Sequence, residues 1–270
     1  MGKLDGKVAI VTGAGSLGMG RATAILLAAE GAKVVVNDVV REDGEETVTI
    51  IRNAGGEAMF VPADVSRSAD VQHMVETAVE TYGKLDVLFN NAGIFGPPGL
   101  AIADYKEEDW DTLMSVDLKG VFLGMKYAIP EMIKAGGGVI INNASTSGLR
   151  ANPGGGLYGA AKAGVIHLTK VGALEYGDKN IRINCICPYG IRPTGRGATA
   201  LKPAEKIASR SKQEDDERWH KAQLPMRRTG KTEEIAHVVL FLASEDSSWV
   251  NGAVLPVDGA SIAGYFGRFR

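Results

Sequence analysis

The amino-acid sequence predicts an α/β fold, a doubly wound parallel sheet of about seven strands with helices on both faces. Short apolar runs alternate with longer segments of helical periodicity along the whole chain. The runs are nearly continuous in apolar residues, as is typical of strands that are buried on both faces. The alternation of strand and helix favours parallel pairing, because each helix carries the chain back to the edge where the next strand begins.

Each predicted strand ends in, or is followed by, a glycine, a proline or a short polar residue, which marks the start of a connection. The predicted strands cover residues 7–12, 33–38, 57–61, 86–89, 139–144, 181–187 and 253–257. The predicted helices cover residues 21–30, 41–54, 71–82, 106–134, 157–176 and 232–243. The third helix shows the clearest apolar face, because Val71, Met74, Val75 and Ala78 recur at helical spacing.

One segment does not follow the alternation. Residues 189–225 connect the sixth strand to the last helix with little strand character, and so long a connection in a compact domain is usually functional or disordered. Because it leaves the carboxyl edge of the sheet, we expect it to be a substrate lid. The remaining pattern is continuous, so we expect one domain over residues 1–270.

Composition limits the classes of function. The 270 residues are 45% hydrophobic and carry a formal net charge of -2. This charge gives no excess of basic residues that would indicate nucleic-acid binding. No apolar run approaches membrane-spanning length, and the first residues lack an apolar signal core, so we expect no membrane association and a cytoplasmic protein. The four histidines lack metal-ligand spacing, so we expect no metal.

The first predicted strand ends in the glycine-rich turn Gly13-Ala-Gly-Ser-Leu-Gly-Met-Gly20, and a helix follows at once. Glycines let the backbone approach a pyrophosphate, and the amino end of the helix attracts the anion. The second strand ends in Asp38, where a dinucleotide fold places an acid on the adenosine ribose. An acid there favours NAD over NADP, because a 2′-phosphate would meet a like charge. Arg41 is the counter-indication, since it could turn toward such a phosphate.

A phenol and an ammonium group are predicted to lie together at the carboxyl edge of the sheet. Tyr158 and Lys162 are four residues apart in a predicted helix, hence on one face. Ser145 follows a predicted strand, where open α/β sheets bind ligands. A tyrosine pKa is ordinarily about 10, and a neighbouring cation lowers it. We therefore predict that Tyr158 exchanges a proton near neutral pH, with its pKa lowered by Lys162.

Taken together, the glycine turn, Asp38, Asp64-Val65, Asn90-Asn-Ala-Gly93, Ser145 and Tyr158-x-x-x-Lys162 resemble the short-chain dehydrogenase/reductase family. The resemblance covers about residues 5–260. It implies a Rossmann-like fold and NAD(P)-dependent interconversion of a secondary alcohol with a ketone. It also implies homo-oligomers, usually homotetramers, whose interfaces use the long helices.

The resemblance further implies a role for each matching position. Tyr158 would exchange the proton with the substrate oxygen, Ser145 would hold that oxygen, and Lys162 would bind the nicotinamide ribose and lower the tyrosine pKa. The positions that it implies for cofactor binding are Gly13, Ser16, Gly18, Gly20, Asp38, Asp64, Val65, Asn90, Asn91, Gly93, Tyr158, Lys162 and Ile191.

Three features depart from the family pattern. Gly13 and Gly18 are separated by four residues, where the family usually has three. Asp117 stands where the family typically has asparagine. We keep Asp117 among the catalytic residues, because the role attributed to that position, holding a water against the lysine, runs largely through the main-chain carbonyl. Tyr189 follows Pro188 in place of the usual glycine.

Two alternatives to an NAD-dependent alcohol dehydrogenase remain open. One is a reductase of 3-oxoacyl thioesters, which would prefer NADPH, and the other is a non-catalytic NAD-binding sensor. The substrate is a small molecule, and we expect a moderately bulky cyclic or aryl secondary alcohol. Candidate pocket residues are Phe95, Leu149, Tyr189 and Trp219.

Overall fold

A computed structural model of the chain describes residues 2–192 and 224–264. Its main sheet has seven parallel strands in the order β3-β2-β1-β4-β5-β6-β9, which confirms the predicted doubly wound sheet of about seven strands. The strands are β1 Val8–Val11, β2 Lys33–Asp38, β3 Glu57–Pro62, β4 Val87–Asn90, β5 Gly138–Asn143, β6 Ile181–Pro188 and β9 Val254–Val257. Two short strands, β7 Ile191–Arg192 and β8 Gly230–Lys231, pair separately.

Helices cover both faces of this sheet. In the described part of the chain they are α1 Met19–Ala29, α2 Arg41–Asn53, α3 Ser68–Tyr82, α4 Glu107–Met114, α5 Gly120–Lys134, α6 Gly156–Tyr176 and α7 Thr232–Ala243. The apolar sides of α3, α5 and α6 pack on one face of the sheet, and those of α1, α2 and α7 pack on the other.

The central strand β1 shows why its residues must be apolar throughout. Ile10 packs into the layer that contains α3, α5 and α6, whereas Ala9 and Val11 pack into the layer that contains α1, α2 and α7. All three side chains are fully buried. Successive strand residues point to opposite faces, so a strand with helices on both sides buries every side chain, and a polar side chain there needs a hydrogen-bond partner.

One predicted helix is interrupted. The sequence predicts a continuous helical region over about 106–134, but the π-helical turn Ser115–Lys119 separates α4 from α5. A π turn inserts one extra residue into the helical path, and such turns often lie at functional sites. Here the turn places the side chain of Asp117, which is fully buried, beneath the carboxyl edge of the sheet.

A strand near the start of the expected lid lies beside a strand that follows the end of the lid. β7 and β8 pair in parallel, with Ile191 opposite Gly230 and Arg192 opposite Lys231. Residues 193–223 lie outside the described residues, so the lid over 189–225 and the single domain over 1–270 stay predictions.

The contact between α5 and β4 gives a test of the packing that positions the site. A Cβ added at Gly124 would lie 2.2 Å from Asn90 Oδ1. We expect Gly124→Ala to lower the free energy of unfolding by about 1–3 kcal/mol through overpacking, although alanine favours a helix over glycine by about 1 kcal/mol. Urea titration measures the change. The exposed Lys126→Ala in the same helix is the control, and a Gly124→Ala protein as stable as wild type would contradict the packing.

Candidate active site

The glycine turn after β1 and the loop after β4 are joined at the point where the strand order reverses. Thr12 Oγ1 accepts hydrogen bonds from the backbone N–H groups of Asn91 (2.9 Å) and Ala92 (3.0 Å). The side-chain amide of Asn91 donates to Thr12 O at 2.8 Å. A Cβ at Gly20 would lie 2.2 Å from Gly13 O, so only glycine lets α1 start this close to the turn. Open α/β sheets bind ligands at such a crossover.

The glycine turn leaves open space at this crossover. Gly18 N-caps α1 with no side-chain cap, and a Cβ built on it would meet no atom nearer than 3.9 Å. Ser16 is exposed in the same turn. Free N–H groups at an uncapped helix start attract phosphate oxygens, so these residues fit a pyrophosphate.

The carboxylate of Asp38 faces this turn. Its Oδ2 accepts a hydrogen bond from Gly15 N at 2.9 Å, and its Oδ1 accepts one from Val40 N at 3.1 Å. Arg41 does not pair with it, because its guanidinium bonds Glu45 Oε1 at 3.0 Å and lies over the Phe60 ring. Asp38 therefore presents a carboxylate to the turn that Arg41 does not neutralise, which suits ribose hydroxyls better than a phosphate.

Other predicted cofactor residues contact the protein itself through their side chains. Asp64 Oδ1 accepts from Ser66 N (2.9 Å) and Oγ (2.7 Å), and Val65 is buried against Gly120. Asn90 is buried, and its Nδ2 donates to Asn142 Oδ1 at 2.9 Å. Any contact from Asn90 to a ribose must therefore use the backbone.

The catalytic candidates do come together. Ser145 follows β5, and its hydroxyl accepts a hydrogen bond from Ser147 N at 3.1 Å. The same hydroxyl lies near enough to Tyr158 to favour the phenolate form. Lys162 lies one turn after Tyr158 on α6, with its Nζ 5.5 Å from the tyrosine ring centroid. Lys162 is only 2% exposed, and its Nζ donates to Asn143 O at 3.0 Å.

Asp117 lies in the same cluster through its side chain. Its Oδ2 is 3.0 Å from Lys162 Nζ, and its Oδ1 accepts a hydrogen bond from Ile94 N at 2.7 Å. Gly93 covers the pair closely: a Cβ there would lie 3.1 Å from Asp117 Oδ2 and 3.3 Å from Lys162 Nζ. The sequence analysis expected Asp117 to act through its main chain, whereas the structure places its carboxylate against the lysine.

The expected direction of the Tyr158 pKa is corrected by this arrangement. Burial, above all, and then the charge of Asp117 raise the pKa of Tyr158 to about 12, against the smaller lowering effect of the Ser145 hydrogen bond. Cys187 on β6 adds a further small raising effect. The expectation overlooked that Lys162, the cation invoked to lower this pKa, has a buried carboxylate of its own 3.0 Å away.

A cavity of about 700 Å³ opens beside Ser145 and Tyr158, within the usual range for a small-molecule site. Phe95 and Tyr189 line it, as the sequence analysis expected, together with Ile191 and Tyr105. The Phe95 ring centroid lies 5.0 Å from that of Tyr158. Leu149 is not among the lining residues, and Trp219 lies outside the described segments.

Three residues of the site were not found from sequence. Tyr105 Oη donates to Gly154 O at 2.9 Å and joins the two loops at the cavity rim. Asn143 supplies the carbonyl that holds Lys162. Arg21 is buried and donates from Nε to Gly15 O at 2.7 Å, which braces the glycine turn. For Arg21, the only indication in the sequence was its position in the first turn of the helix that follows the glycines.

Two features are absent from the described segments. Among those residues, no three His, Cys, Asp or Glu side chains converge where a metal ion could be held. No helix in the same segments combines the length and apolarity that crossing a bilayer requires.

Similarity to known proteins was found over almost the full length. A family model described as "Enoyl-(Acyl carrier protein) reductase" matches residues 13–260. The cyclohexanol dehydrogenase of Acinetobacter sp. (strain SE19) is 41% identical over 258 residues, which cover 96% of each chain. The 3-oxoacyl-[acyl-carrier-protein] reductase FabG of Thermotoga maritima is 39% identical over 260 residues, covering 96% of this chain and 99% of that protein.

A third relative is known in sequence and in structure. The levodione reductase of Leifsonia aquatica is 38% identical over 261 residues, covering 96% of this chain and 95% of that protein. A crystal structure of levodione reductase superposes with a TM-score of 0.87 at 36% identity, covering 97% of this chain and 100% of the other. The family model and these oxidoreductases match nearly the whole chain. The chain therefore belongs to the short-chain dehydrogenase/reductase family.

Proposed function

We propose that this protein is an NAD-dependent oxidoreductase that interconverts a secondary alcohol and a ketone. One observation supports this most strongly. The hydroxyl of Ser145 acts on the phenol of Tyr158, and both residues border the 700 Å³ cavity. Two hydroxyls held together can both bond one substrate oxygen, which is what proton exchange at a carbinol or carbonyl oxygen requires.

The cofactor, when bound, accepts or donates a hydride at nicotinamide C4. The residues that would hold it lie along the carboxyl edge of the sheet. The turn from Gly13 to Gly20, which includes Ser16 and Gly18, would bind the pyrophosphate, and Asp38 would accept from the adenosine ribose hydroxyls. The other positions would be Asp64 and Val65 at the adenine, Asn90, Asn91 and Gly93 at the adenosine ribose, and Tyr158, Lys162 and Ile191 near the nicotinamide.

The chain's own residues handle the proton. Tyr158 Oη donates it to the substrate oxygen in reduction and accepts it in oxidation, while Ser145 Oγ holds that oxygen in place. Lys162 stays close to Tyr158 through Asn143 O and Asp117. Phe95, Tyr189 and Ile191 line the cavity and would lie beside the reacting carbon.

NAD is favoured over NADP by the charge beside the glycine turn. Asp38 presents a carboxylate there, and Arg41 is engaged with Glu45 and the Phe60 ring. An added 2′-phosphate would meet the Asp38 carboxylate without the guanidinium that would neutralise it. This contact would cost several kcal/mol of binding free energy.

A cyclic secondary alcohol or ketone suits the cavity. Phe95 is 84% exposed and lines the cavity beside Tyr158, so a ring entering the cavity would pack against an aromatic side chain. Relatives named for cyclohexanol and levodione fit the same class. The relative named for 3-oxoacyl thioesters supports a second candidate, which Asp38 disfavours because that reduction would use NADPH.

A homotetramer and a cytoplasmic location complete the proposal. An apolar groove of about 640 Å³ runs between the α4–α5 region and α6 and is lined by Met114, Leu118, Phe122 and Leu168. Exposed apolar grooves of this kind are typical of protein interfaces, and these helices are the ones that the resemblance assigns to the oligomer.

The first prediction concerns Tyr158. Tyr158→Phe should lower kcat by at least about a hundredfold, because it removes the proton carrier, while NAD binding changes little. Absorbance at 340 nm, followed with a panel of cyclic, aryl and hydroxyacyl alcohols and the matching ketones, measures turnover, and calorimetry measures NAD binding. Tyr127→Phe is the matched control, since its hydroxyl bonds Ser68 Oγ and the residue does not line the cavity. NAD binding without turnover of any panel member by wild type would instead support the sensor.

The second prediction concerns cofactor choice. Wild type should have a higher kcat/KM with NAD than with NADP, and Asp38→Asn should lower kcat/KM for NAD by about tenfold or more through the loss of charge-assisted hydrogen bonds. The penalty against NADP should shrink in the same variant. Glu42→Gln, an exposed acid at the start of α2, should change neither value. A wild-type preference for NADP would contradict the assignment.

The third prediction concerns substrate packing. Phe95→Ala should raise KM for a cyclic ketone about three- to tenfold, as expected for the loss of one aromatic contact, and should change KM for a small acyclic ketone less. Steady-state kinetics with the two ketones at saturating NADH measure both values. Equal changes for both substrates would show that Phe95 does not contact the ring.

A further inference from the structure

Lys162 is held by one ion pair and one hydrogen bond. Its Nζ is 3.0 Å from Asp117 Oδ2 and donates to Asn143 O, also at 3.0 Å. The side chains of Asp117 and Lys162 are 0% and 3% exposed, so solvent barely screens this ion pair. The positive charge nearest to Tyr158 is thus matched by a negative charge in the same buried cluster.

We propose that Asp117 is a positioning residue which, by pairing its carboxylate with Lys162, offsets the lysine charge beside Tyr158, so that alcohol oxidation at this site needs a higher pH than ketone reduction. The inference rests on the proposed function and adds the direction in which the site works best at neutral pH. Asp117 acts through Lys162 and Tyr158 and need not contact the substrate.

The position of Asp117 is built into the fold. The π turn between α4 and α5 carries the residue inward, and Ile94 N anchors Oδ1 at 2.7 Å. Gly93 leaves room for the ion pair and for nothing larger, since a Cβ there would lie 3.1 Å from Oδ2. Oδ2 has no partner other than Lys162 Nζ among the described residues, so this oxygen is committed to the lysine.

Four groups act on the Tyr158 phenol from the elements around it. Asp117 from the π turn disfavours the phenolate, and so does Cys187 from β6. The Ser145 hydroxyl after β5 favours the phenolate through its hydrogen bond. Lys162 from α6 lies 5.5 Å from the ring centroid, with its charge opposed by Asp117. Burial disfavours the phenolate more than any of these groups does, because it penalises the charged form.

The protonation state of Tyr158 sets which half-reaction is ready. In reduction, the carbonyl π bond breaks, its oxygen takes the proton of the Tyr158 O–H bond, and its carbon takes the hydride that NADH supplies; solvent then returns a proton to the phenolate. Oxidation of the alcohol needs the phenolate first. A phenol at neutral pH therefore favours reduction, and oxidation should accelerate as the pH rises toward the tyrosine pKa.

Asp117→Asn tests the proposal, because the amide keeps the shape of the side chain and an oxygen for Ile94 N but removes the charge. In cofactor-free protein labelled with ¹³C at tyrosine Cζ, the Tyr158 resonance is identified by its loss in Tyr158→Phe. We expect no titration of this resonance below about pH 10 in wild type. In Asp117→Asn we expect the resonance to titrate at least about one pH unit lower than in wild type. This is the smallest pKa shift expected from the loss of one neighbouring charge.

Kinetics give a second readout. In Asp117→Asn, the rise of kcat/KM for alcohol oxidation with pH should move to lower pH by the same amount. The fall of kcat/KM for ketone reduction should also begin at lower pH than in wild type. Asp117→Ser is a second neutral variant in case the amide does not fold. Glu108→Gln, an exposed acid on α4, should leave both profiles unchanged.

The two readouts separate failure of this inference from failure of the proposed function. A wild-type Tyr158 resonance that titrates at or below about pH 10, or one that titrates alike in wild type and Asp117→Asn, overturns the role of Asp117. A shifted resonance with no turnover in either direction upholds the electrostatic role and overturns the proposed reaction.

Discussion

All seven strands of the main sheet run parallel, and this constraint brings the parts of the site together. Because the carboxyl ends of parallel strands share one edge, the glycine turn after β1, Asp38 at the end of β2, the loop after β4 and Ser145 after β5 face the same cleft. Side chains then join neighbouring strand ends, as Thr12 does with the backbone of Asn91. The cofactor residues and the catalytic hydroxyls are therefore adjacent although they lie far apart in sequence.

The fold could be predicted from the sequence because burial on two faces dictates composition. Helix α7 was predicted at its observed bounds, Thr232–Ala243, and β2 was predicted as Lys33–Asp38. The sequence also predicted one catalytic cluster from Ser145, Tyr158 and Lys162. Ser145 follows a strand, and the other two are one turn apart on a helix, so their relative positions can vary little. The π turn at Ser115–Lys119 was missed, because its residues continue the helical periodicity on both sides.

The electrostatics of the site could not be predicted in the same way. A tyrosine one turn before a lysine suggests a lowered pKa, yet the direction depends on whether another charge reaches the lysine and on how deeply the phenol is buried. The carboxylate of Asp117 comes from a residue 45 positions before Lys162 and reaches it only because the π turn points inward. The contact of Phe95 with the Tyr158 ring likewise depends on a loop path that no periodicity encodes.

The transfer of deuterium from NADH labelled at nicotinamide C4 to a cyclic ketone such as cyclohexanone would test the central claim most directly. Mass spectrometry of the product should show cyclohexanol with one deuterium on the carbinol carbon, formed by wild type and not by Tyr158→Phe. No labelled alcohol from cyclohexanone or from the other ketones of the panel, or equal label transfer by the variant, would contradict the account.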